Sequence, residues 1–524
     1  MLTQKKMIEP YMTKHSPHPL EAPGISSRFM EPCILVIFGA TGDLTARKLI
    51  PAIYNLAREG QLPAQFACVG FARREKTHEQ FRQEMKEAIN SFSRIKPIDE
   101  TLWNTFKEQL FYHTSEFHDE AGYEGLSKFL SDLDTRLGTK GNRVFYLSTQ
   151  PSFFTMICAQ LNKAHLIYEH QKSPSWSRLI IEKPFGHDTP SAHALQNELL
   201  NYLDEHQIYR IDHYLGKETV QNILVFRFAN SIFESLWNNR YIDHVQITAA
   251  EDIGIGSRGA FWEEAGFLRD ILQNHMMQVL SLVAMEPPVS LEASSIHDEK
   301  VKVLQAIRPL SQLDMERSVV RGQYGPGFVN GAPAIGYREE KNVNPQSSVE
   351  TYLAIKLYID NWRWAGVPFY LRGGKRLPKK GTEISVFFKD PPSVLFQHPG
   401  KKNEPNVLTL RIQPDEGTSL KINCKVPGSS TFIQPVKMNF RYGKYFGMAP
   451  PEAYERLIQD CIYGDNTLFA REDEVFSSWH LLSPVLDFWA HHTPKDFPNY
   501  PSGSWGPKEA DDLIMNDGRK WRLL

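Results

Sequence analysis

The chain has 524 residues, of which 41% are hydrophobic and 23% charged, so it can build the cores of two or three globular domains. Its formal net charge is −2, which excludes a general attraction for nucleic acid. The five cysteines have neither paired nor metal-ligand spacing. They argue against a disulfide framework and favour a reducing compartment such as the cytoplasm.

Residues 1–30 are predicted to be a flexible polar arm. Lys5 and Lys6 are not followed by an apolar run, and several prolines interrupt what would have to be a signal peptide. No later segment has the apolar length that a membrane-spanning helix needs, so no membrane partner is expected.

Short apolar runs alternate with helical patterns from residue 33 to residue 182. A run of this kind is typical of a strand buried on both faces, and the alternation predicts βαβ units with a parallel sheet. We therefore expect an α/β, Rossmann-like dinucleotide-binding domain over 31–210. The predicted strands are CILVIF (33–38), FACVGF (66–71), RVFYLS (143–148) and RLIIE (178–182).

The sequence GATGD lies between the first predicted strand and a helix. Gly39 and Gly42 would let backbone N–H groups approach a pyrophosphate at the helix N-terminus. The position that is Gly or Ala in the general fingerprint is Thr45, so the match is incomplete, and a plain tight turn is the alternative.

Two arginines follow the second predicted strand, where an NAD-binding protein would carry an acidic residue. Arg73 and Arg74 offer planar groups that suit a 2′-phosphate, which favours NADP. The alternative is a surface basic pair at the start of the next helix.

Charged groups gather where the predicted dinucleotide domain ends. Lys183, in EKPFG, follows a buried strand, and the peptide before Pro184 can be cis or trans. The stretch RIDHYLGKE (210–218) then combines cations, carboxylates, an imidazole and a phenol. A solvated turn is one interpretation, but the position between two domains favours a cleft.

The second half, 211–524, is predicted to be an α+β domain with a large, mainly antiparallel sheet that can also carry a subunit interface. A long helix, roughly 259–285, places Phe267, Ile271 and His275 on one stripe, and a buried core histidine is the alternative to a catalytic one. The predicted strands are NILVFRFA (222–229), HVQITAA (244–250), YLAIKLYI (352–359), EISVFFK (383–389), VLTLRI (407–412) and SLKINC (419–424).

Several motifs, taken together and in this order, are similar to those of the glucose-6-phosphate dehydrogenase family. The chain resembles that family from about residue 30 to its C-terminus. The motifs are GATGDLTARKL, EKPFG, RIDHYLGKE, RGAFWEEAGFLRDILQNHMMQ, GVPFYLRGGKRLP and PEAYERLI.

The resemblance implies an oxidation of β-D-glucose 6-phosphate at C1 to 6-phospho-D-glucono-1,5-lactone, with hydride transfer to NADP. This is the first oxidative step of the pentose phosphate pathway. His275 matches the base that takes the C1 hydroxyl proton, and Asp212 matches its partner carboxylate. The resemblance implies no metal.

The remaining site residues are also implied by the resemblance. His213, Tyr214 and Lys217 match phosphate-binding positions, and Lys183 matches a residue between substrate and cofactor. Other substrate contacts are implied at Glu251, Asp270 and Lys375. The implied cofactor-binding residues are Gly39, Thr41, Gly42, Asp43, Leu44, Arg73 and Lys183.

The resemblance also implies a homodimer or homotetramer. Some members bind a second, structural NADP through basic residues near the C-terminal sheet. This chain retains Arg411 but has Gly381, Ser385 and Trp505 where those members have Lys, Arg and Arg. We therefore expect no second NADP site.

Two other classes of protein remain open. An NADP(H)-binding redox sensor without turnover would not need His275, Asp212 and Lys183. The GATG sequence also occurs in reductases and epimerases that use a Tyr-x-x-x-Lys pair, but Tyr214 and Lys217 have the wrong spacing.

Overall fold

The computed structural model describes residues 30–168, 173–392, 404–428, 432–447 and 450–524. The predicted arm, 1–30, lies outside these residues except for Met30. Within the described ranges, none of the helices combines the length and apolar character needed to cross a membrane.

Seven strands form the first sheet, in the order Phe469–Ala470, β6, β5, β4, β1, β2, β3. β1 to β6 run parallel, and the short C-terminal strand pairs antiparallel with β6. The predicted Rossmann-like sheet is confirmed. Its strands are β1 (Cys33–Phe38), β2 (Phe66–Ala72), β3 (Leu110–Thr114), β4 (Arg143–Leu147), β5 (Ser177–Glu182) and β6 (Ile208–Ile211).

Helices connect these strands and bury the sheet, so that every residue of β1 is at most 1% exposed. The chain runs from β1 outward to β3 and then returns to β4 on the other side of β1. A crevice therefore opens at the carboxyl ends of β1 and β4, where open α/β sheets bind ligands. The helices are α1 (Ile50–Arg58), α2 (His78–Phe92), α3 (Glu100–Phe106), α4 (Glu120–Leu137), α5 (Phe154–Lys163) and α6 (Thr189–Leu199).

An eight-stranded sheet dominates the second half, in the order β17, β16, β15, β14, β7, β13, β12, β8. Only the β7–β13 pair among these described strands is parallel, so the predicted mainly antiparallel sheet is confirmed. Its strands are β7 (Ile242–Ala250), β8 (Val319–Gly322), β12 (Tyr352–Tyr358), β13 (Pro368–Gly374), β14 (Gly381–Phe388), β15 (Val407–Gln413), β16 (Gly417–Lys425) and β17 (Ile433–Arg441).

Short strands and helices complete this half. The strands are β9 (Tyr324–Gly325), β10 (Gly327–Val329), β11 (Ala332–Ala334), β18 (Phe469–Ala470) and β19 (Tyr500–Pro501). The helices are α7 (Glu218–Phe228), α8 (Ser231–Glu234), α9 (Gly259–Phe267), α10 (Met277–Ala284), α11 (Ala293–Ala306), α12 (Gln312–Ser318), α13 (Tyr442–Phe446), α14 (Ala453–Tyr463), α15 (Glu472–His491) and α16 (Lys508–Met515).

The strand predicted at 222–229 is wrong, because residues 222–228 belong to helix α7 and Ala229 caps that helix. Val220, Ile223, Leu224 and Arg227 are buried, and this spacing is that of one helical face. The β-branched and aromatic residues suggested a strand, but packing against the neighbouring helices and β15 decides the conformation.

The predicted helix at 259–285 is not continuous. Gly266, the second-last residue of α9, has φ 63° and ψ −178°, which breaks the helix there. Residues Leu268–Met276 then form a π-helical segment, called the His275 segment below, before α10 begins. π-Helical turns inside helices are rare and are often found at functional sites.

Candidate active site

Two neighbouring parallel strands end beside each other and begin the site. β5 and β6 pair in a register that puts Glu182 opposite Ile211. Lys183 and Asp212 are the next residues, so both leave the sheet at the same edge. The peptide between Lys183 and Pro184 is cis, which the sequence did not decide.

The His275 segment brings His275 onto Asp212. His275 Nδ1 lies 2.5 Å from Asp212 Oδ1, and both residues are 1% exposed. The same carboxylate oxygen accepts the backbone N–H of Tyr214 at 2.9 Å. A carboxylate at Nδ1 fixes the tautomer in which Nε2 is free to accept a proton.

Lys183 reaches the other side of the imidazole. Its Nζ lies 2.8 Å from His275 Nε2 and donates to the Asp270 carbonyl oxygen at 2.6 Å. It also lies 3.1 Å from Asp270 Oδ1. Lys183, His275 and Asp270 therefore meet around one point at the sheet edge, where a hydroxyl group of a ligand can compete for Nε2.

Burial and charge adjust the protonation of this pair. Burial lowers the pKa of His275 below its ordinary value; Asp212 opposes this effect and Lys183 adds to it. Burial alone would raise the pKa of Asp212, but the charges of His275, His213 and Lys183 outweigh it and hold that pKa well below its usual range. At neutral pH the site holds a carboxylate and a neutral imidazole.

A second group of polar side chains surrounds Lys217. Its Nζ donates to Gln413 Oε1 and lies 3.9 Å from the centre of the Tyr214 ring. The Tyr214 hydroxyl lies 3.2 Å from Thr382 Oγ1 and accepts from Gln413 Nε2 at 3.3 Å. Burial lowers the pKa of Lys217 to about 8.

Gln413 and Thr382 were not predicted from the sequence. They lie at the ends of β15 and β14, about 170 to 200 residues along the chain from the RIDHYLGKE stretch they contact. Only the pairing of these strands in the second sheet brings them to Lys217. A Gln followed by Pro carries no local signal of a binding site.

His213 joins the two groups. Its ring centre is 4.6 Å from that of His275 and 5.3 Å from that of Tyr214. Burial lowers the pKa of His213 well below its ordinary value, and the charges of His275 and Lys183 lower it further. His213 is therefore a neutral donor or acceptor at neutral pH.

Glu251 and Lys375 come together at the carboxyl ends of two strands of the second sheet. They follow the parallel neighbours β7 and β13, and Glu251 N donates to the Gly374 carbonyl at 3.0 Å. Lys375 Nζ forms an ion pair with Glu251 and lies 4.8 Å from the centre of the Trp262 ring.

Asp212, His213 and His275 also place metal-ligand atoms within 4.8 Å of one another. However, Nδ1 of His275 is bonded to Asp212, and the Lys183 ammonium lies against Nε2. This arrangement suits proton transfer better than it suits a cation.

The predicted dinucleotide site lies at the carboxyl ends of β1 and β2. Gly39 has φ +81°, and a Cβ there would stand 2.3 Å from the Ser148 carbonyl oxygen. Gly42 N donates to Gly39 O at 2.9 Å and closes the turn. Only glycine satisfies both constraints at position 39.

The other predicted cofactor residues frame this turn. Thr41 and Leu44 are half-buried, and Asp43 is exposed beside Arg47, with 2.6 Å between carboxylate and guanidinium. Arg73 and Arg74 are exposed at the end of β2 and form no ion pair within the described part of the chain. Their guanidinium groups are available to an anionic ligand.

The region of the doubted second NADP site is partly filled by the chain itself. A Cβ at Gly381 would stand 2.9 Å from the Leu524 side chain. Ser385 is buried against Thr409, with 3.3 Å between the two hydroxyl oxygens. Trp505 faces the Arg372 guanidinium at 5.1 Å. The absence of a second site stays a prediction.

The chain was compared with known families and proteins. Residues 36–222 match the family model described as "Glucose-6-phosphate dehydrogenase, NAD binding domain", and residues 224–522 match "Glucose-6-phosphate dehydrogenase, C-terminal domain". Together these two matches cover almost the whole described chain.

Curated relatives and a solved structure agree with the family models. A glucose-6-phosphate 1-dehydrogenase of Chlamydia pneumoniae is 58% identical over 95% of this chain and 98% of its own length. That of Bacillus subtilis is 46% identical over 93% and 98%. A structure of a glucose-6-phosphate dehydrogenase in complex with its substrate glucose-6-phosphate is 34% identical, covers 95% and 100% of the two chains, and has a TM-score of 0.85.

Proposed function

The chain belongs to the glucose-6-phosphate dehydrogenase family, and we propose that His275 and Asp212 are its proton-abstracting pair and that NADP is its dinucleotide. As a member of this family it is an oxidoreductase that oxidises β-D-glucose 6-phosphate at C1, the first oxidative step of the pentose phosphate pathway. The observation that carries the assignment is the 2.5 Å contact between His275 Nδ1 and Asp212 Oδ1, buried at the end of β6.

His275 Nε2 takes the proton of the C1 hydroxyl. Because the pKa of His275 is lowered, the imidazole is neutral and able to accept this proton at pH 7. Asp212 then faces the imidazolium that forms and stabilises its charge without taking the proton itself.

Lys183 changes partner when the sugar binds. Its ammonium lies against His275 Nε2, so the C1 hydroxyl must displace it from the lone pair that will accept the proton. Asp270 keeps the ammonium nearby through its carbonyl and carboxylate oxygens. From there Lys183 can donate to the sugar oxygen and hold it against the base.

The group around Lys217 is the phosphate end of the site. An ammonium, a phenol and an imidazole offer charge-assisted and neutral hydrogen bonds to a phosphate dianion. Gln413 accepts from Lys217 with its carbonyl oxygen. A phosphate oxygen can replace Gln413 Oε1 as the acceptor for Lys217. The Gln413 amide NH2 can then donate a further hydrogen bond to the phosphate.

The ion pair of Glu251 and Lys375 forms the wall that faces the sugar hydroxyls. A carboxylate accepts from hydroxyl groups and an ammonium donates to them, so the pair can orient the ring between phosphate and base. Asp270, on the His275 segment, adds a second carboxylate.

The residues at the ends of β1 and β2 fit a dinucleotide. When bound, NADP supplies the acceptor for the hydride that leaves C1. Gly39 leaves room for a pyrophosphate close to the backbone, and Arg73 and Arg74 present exposed guanidinium groups where a 2′-phosphate would lie. These arginines support NADP over NAD.

We also propose that copies of the chain associate as a homodimer or homotetramer through the large sheet. β17 forms one edge of this sheet, and its residues Val436 and Met438 are 42% and 52% exposed. Tyr445 and Phe446 just beyond it are 70% and 53% exposed. A long edge with exposed apolar residues is typical of a protein–protein contact.

An absorbance assay for NADPH formation tests the function. Purified protein is expected to reduce NADP with glucose 6-phosphate and to show little turnover with mannose 6-phosphate or ribose 5-phosphate. Binding of NADP without its reduction would identify the redox-sensing alternative. Turnover with sugar nucleotides but not with glucose 6-phosphate would identify a reductase or epimerase.

A further inference from the structure

We propose that Glu350 is a positioning residue of the reaction, which fixes the His275 segment, Leu268–Met276, relative to the proposed sugar-binding residue Lys375. The proposal rests on the proposed role of His275. Glu350 immediately precedes Thr351 and strand β12, and it does not belong to any motif singled out in the sequence.

The His275 segment follows a break in α9 that Gly266 makes possible. Its φ of 63° lies in the region that favours glycine, and the chain turns there from α9 into the segment. The Cα of Gly266 faces the Glu350 carboxylate, because a Cβ at this position would stand 2.4 Å from Glu350 Oε1. The break and the carboxylate therefore fit each other closely.

Glu350 accepts the N–H groups of Phe267, the last residue of α9, and Leu268, the first residue of the His275 segment. Phe267 N donates to the Glu350 carbonyl oxygen at 3.1 Å, and Leu268 N donates to Glu350 Oε1 at 3.0 Å. The first N–H groups of a helix have no partner within it, so an acceptor from outside the helix is favourable there. Glu350, which is 6% exposed, supplies this acceptor inside the protein, where water does not compete.

Glu350 and its neighbour Thr351 also contact Trp262 and Lys375. The Trp262 indole N–H donates to the Glu350 carbonyl at 3.4 Å, and Lys375 Nζ lies 4.8 Å from the Trp262 ring centre. The neighbouring Thr351 carbonyl accepts the Lys375 backbone N–H at 2.9 Å. The Glu350–Thr351 pair thus joins Lys375 to the start of the segment that carries His275.

This connection sets the distance between base and substrate. Lys375 contacts the sugar from one side, and His275 must reach the C1 hydroxyl from the other. A misplacement of about 1 Å in such an arrangement costs about 100-fold in rate. The phosphate site around Lys217 stands on β15 and the turn after β6, so it does not depend on Glu350.

Glu350→Ala and Glu350→Gln test the proposal together. The alanine variant is expected to lose at least about tenfold in kcat, because the segment loses its acceptor at Leu268 N. The glutamine variant keeps a carbonyl oxygen at that place and is expected to recover most of kcat. KM for NADP should stay within about twofold of the wild type in both, because the dinucleotide turn is not attached to this residue.

Two further variants control for folding. Asp134→Ala removes a partly buried carboxylate that bonds Arg143 and Gly141 N at the opposite end of the first sheet, and it should lower Tm while kcat is retained. If Glu350→Ala does not fold, Glu350→Asp takes its place, because its carboxylate is one methylene too short to reach Leu268 N. Loss of kcat in the aspartate variant would support the proposal.

The outcomes separate this proposal from the role of His275. A folded Glu350→Ala or Glu350→Asp variant with kcat within about twofold of wild type overturns the positioning role. So does a glutamine variant that is as slow as the alanine variant, or a loss that appears equally in KM for both substrates. His275→Asn, measured in the same assay, reports on the base independently, since normal kcat in that variant would contradict the base and leave the Glu350 result interpretable.

Discussion

Lys217 is the residue whose contacts most directly suggest recognition of the phosphate. We expect Lys217→Ala to raise KM for glucose 6-phosphate strongly, since a charged contact to a dianion is lost. kcat can fall as well, because binding at the phosphate positions C1 against His275. The measurement is kcat/KM for glucose 6-phosphate and for free glucose, whose kcat/KM should hardly change.

The pKa of Lys217 supplies a control for this prediction. Because burial lowers that pKa to about 8, the free site loses its cation as the pH rises above that value. KM for glucose 6-phosphate should therefore increase above pH 8 in the wild type, and this increase should be absent in Lys217→Ala. A proportional loss for both sugars would mean that Lys217 acts on the reacting end or on the fold.

Arg73 and Arg74 are expected to determine the choice of cofactor. Replacing both with Ala should weaken NADP binding by roughly ten- to a hundredfold, the effect of a lost charge-assisted bond of about 1.5–3 kcal/mol. NAD lacks the 2′-phosphate, so its binding should change little. Calorimetric titration with each dinucleotide makes the comparison, and equal losses would contradict the assignment.

At this scale the sequence predicted residue types better than contacts. The motifs identified His275 and Asp212, but spacing along the chain did not predict the 2.5 Å bond between them. Gln413 and Glu350 escaped detection, because each acts through strand pairing or a helix start that brings distant segments together. Such contacts depend on tertiary structure and leave no local pattern.

Helices α10, α11 and α15 are joined by a buried charged cluster. Glu474 bonds His297 Nδ1 at 2.5 Å, Lys300 at 2.7 Å and Gln278 Nε2 at 2.9 Å. Glu474→Gln should lower the free energy of unfolding by about 3–5 kcal/mol, because it leaves the buried Lys300 ammonium without a carboxylate partner. Denaturant unfolding at neutral pH measures the difference.

The same cluster has a defined pH dependence. Burial would raise the pKa of Glu474, but Lys300 and His297 outweigh it and lower that pKa to about 2. A carboxyl pKa that falls on folding gives stability that is present above about pH 4.5 and lost as the pH falls toward 2. Asp360→Asn, which breaks an exposed pair with Arg308, is the matched control and should cost less than about 1 kcal/mol. A Glu474→Gln loss no larger than the control loss would contradict the account.

Elements with strong periodicity were predicted well. The prediction was wrong for α7, and it missed the break in the helix predicted at 259–285. Runs buried on both faces, such as β1 and β5, have one plausible conformation. The residues of α7 are rich in β-branched and aromatic side chains, so their helical face became visible only once its buried side was known. The break at Gly266 lies against the Glu350 carboxylate, which is 84 residues further along the chain and gives no local signal of the contact.

Association of whole chains is the prediction that concerns the complete molecule. Val436→Lys together with Met438→Lys places two charges on the exposed edge strand β17, and should dissociate the proposed oligomer. Light scattering should give a multiple of 60.2 kDa for the wild type and 60.2 kDa for the variant. Val289→Lys, at a site 94% exposed elsewhere, is the control. An unchanged mass in the edge variant would remove β17 from the interface.

The sequence predicts the order of the two halves, but it does not predict the strand pairing that connects them. Alternating strands and helices predicted the first sheet, and successive strands predicted the second. A short strand from the C-terminal half, β18, nevertheless pairs with β6 beside the site. Two residues are too few to show a period, so this link between the halves had no sequence signal.

The central claim is that His275, oriented by Asp212, takes the proton of the C1 hydroxyl. The most direct test is His275→Asn, with kcat measured by NADPH formation and glucose 6-phosphate affinity measured by calorimetry on the same folded sample. The account predicts a fall in kcat of at least about 100-fold, since asparagine cannot accept a proton near pH 7, with affinity nearly unchanged. A folded variant that binds the sugar phosphate and keeps near-normal kcat would contradict it.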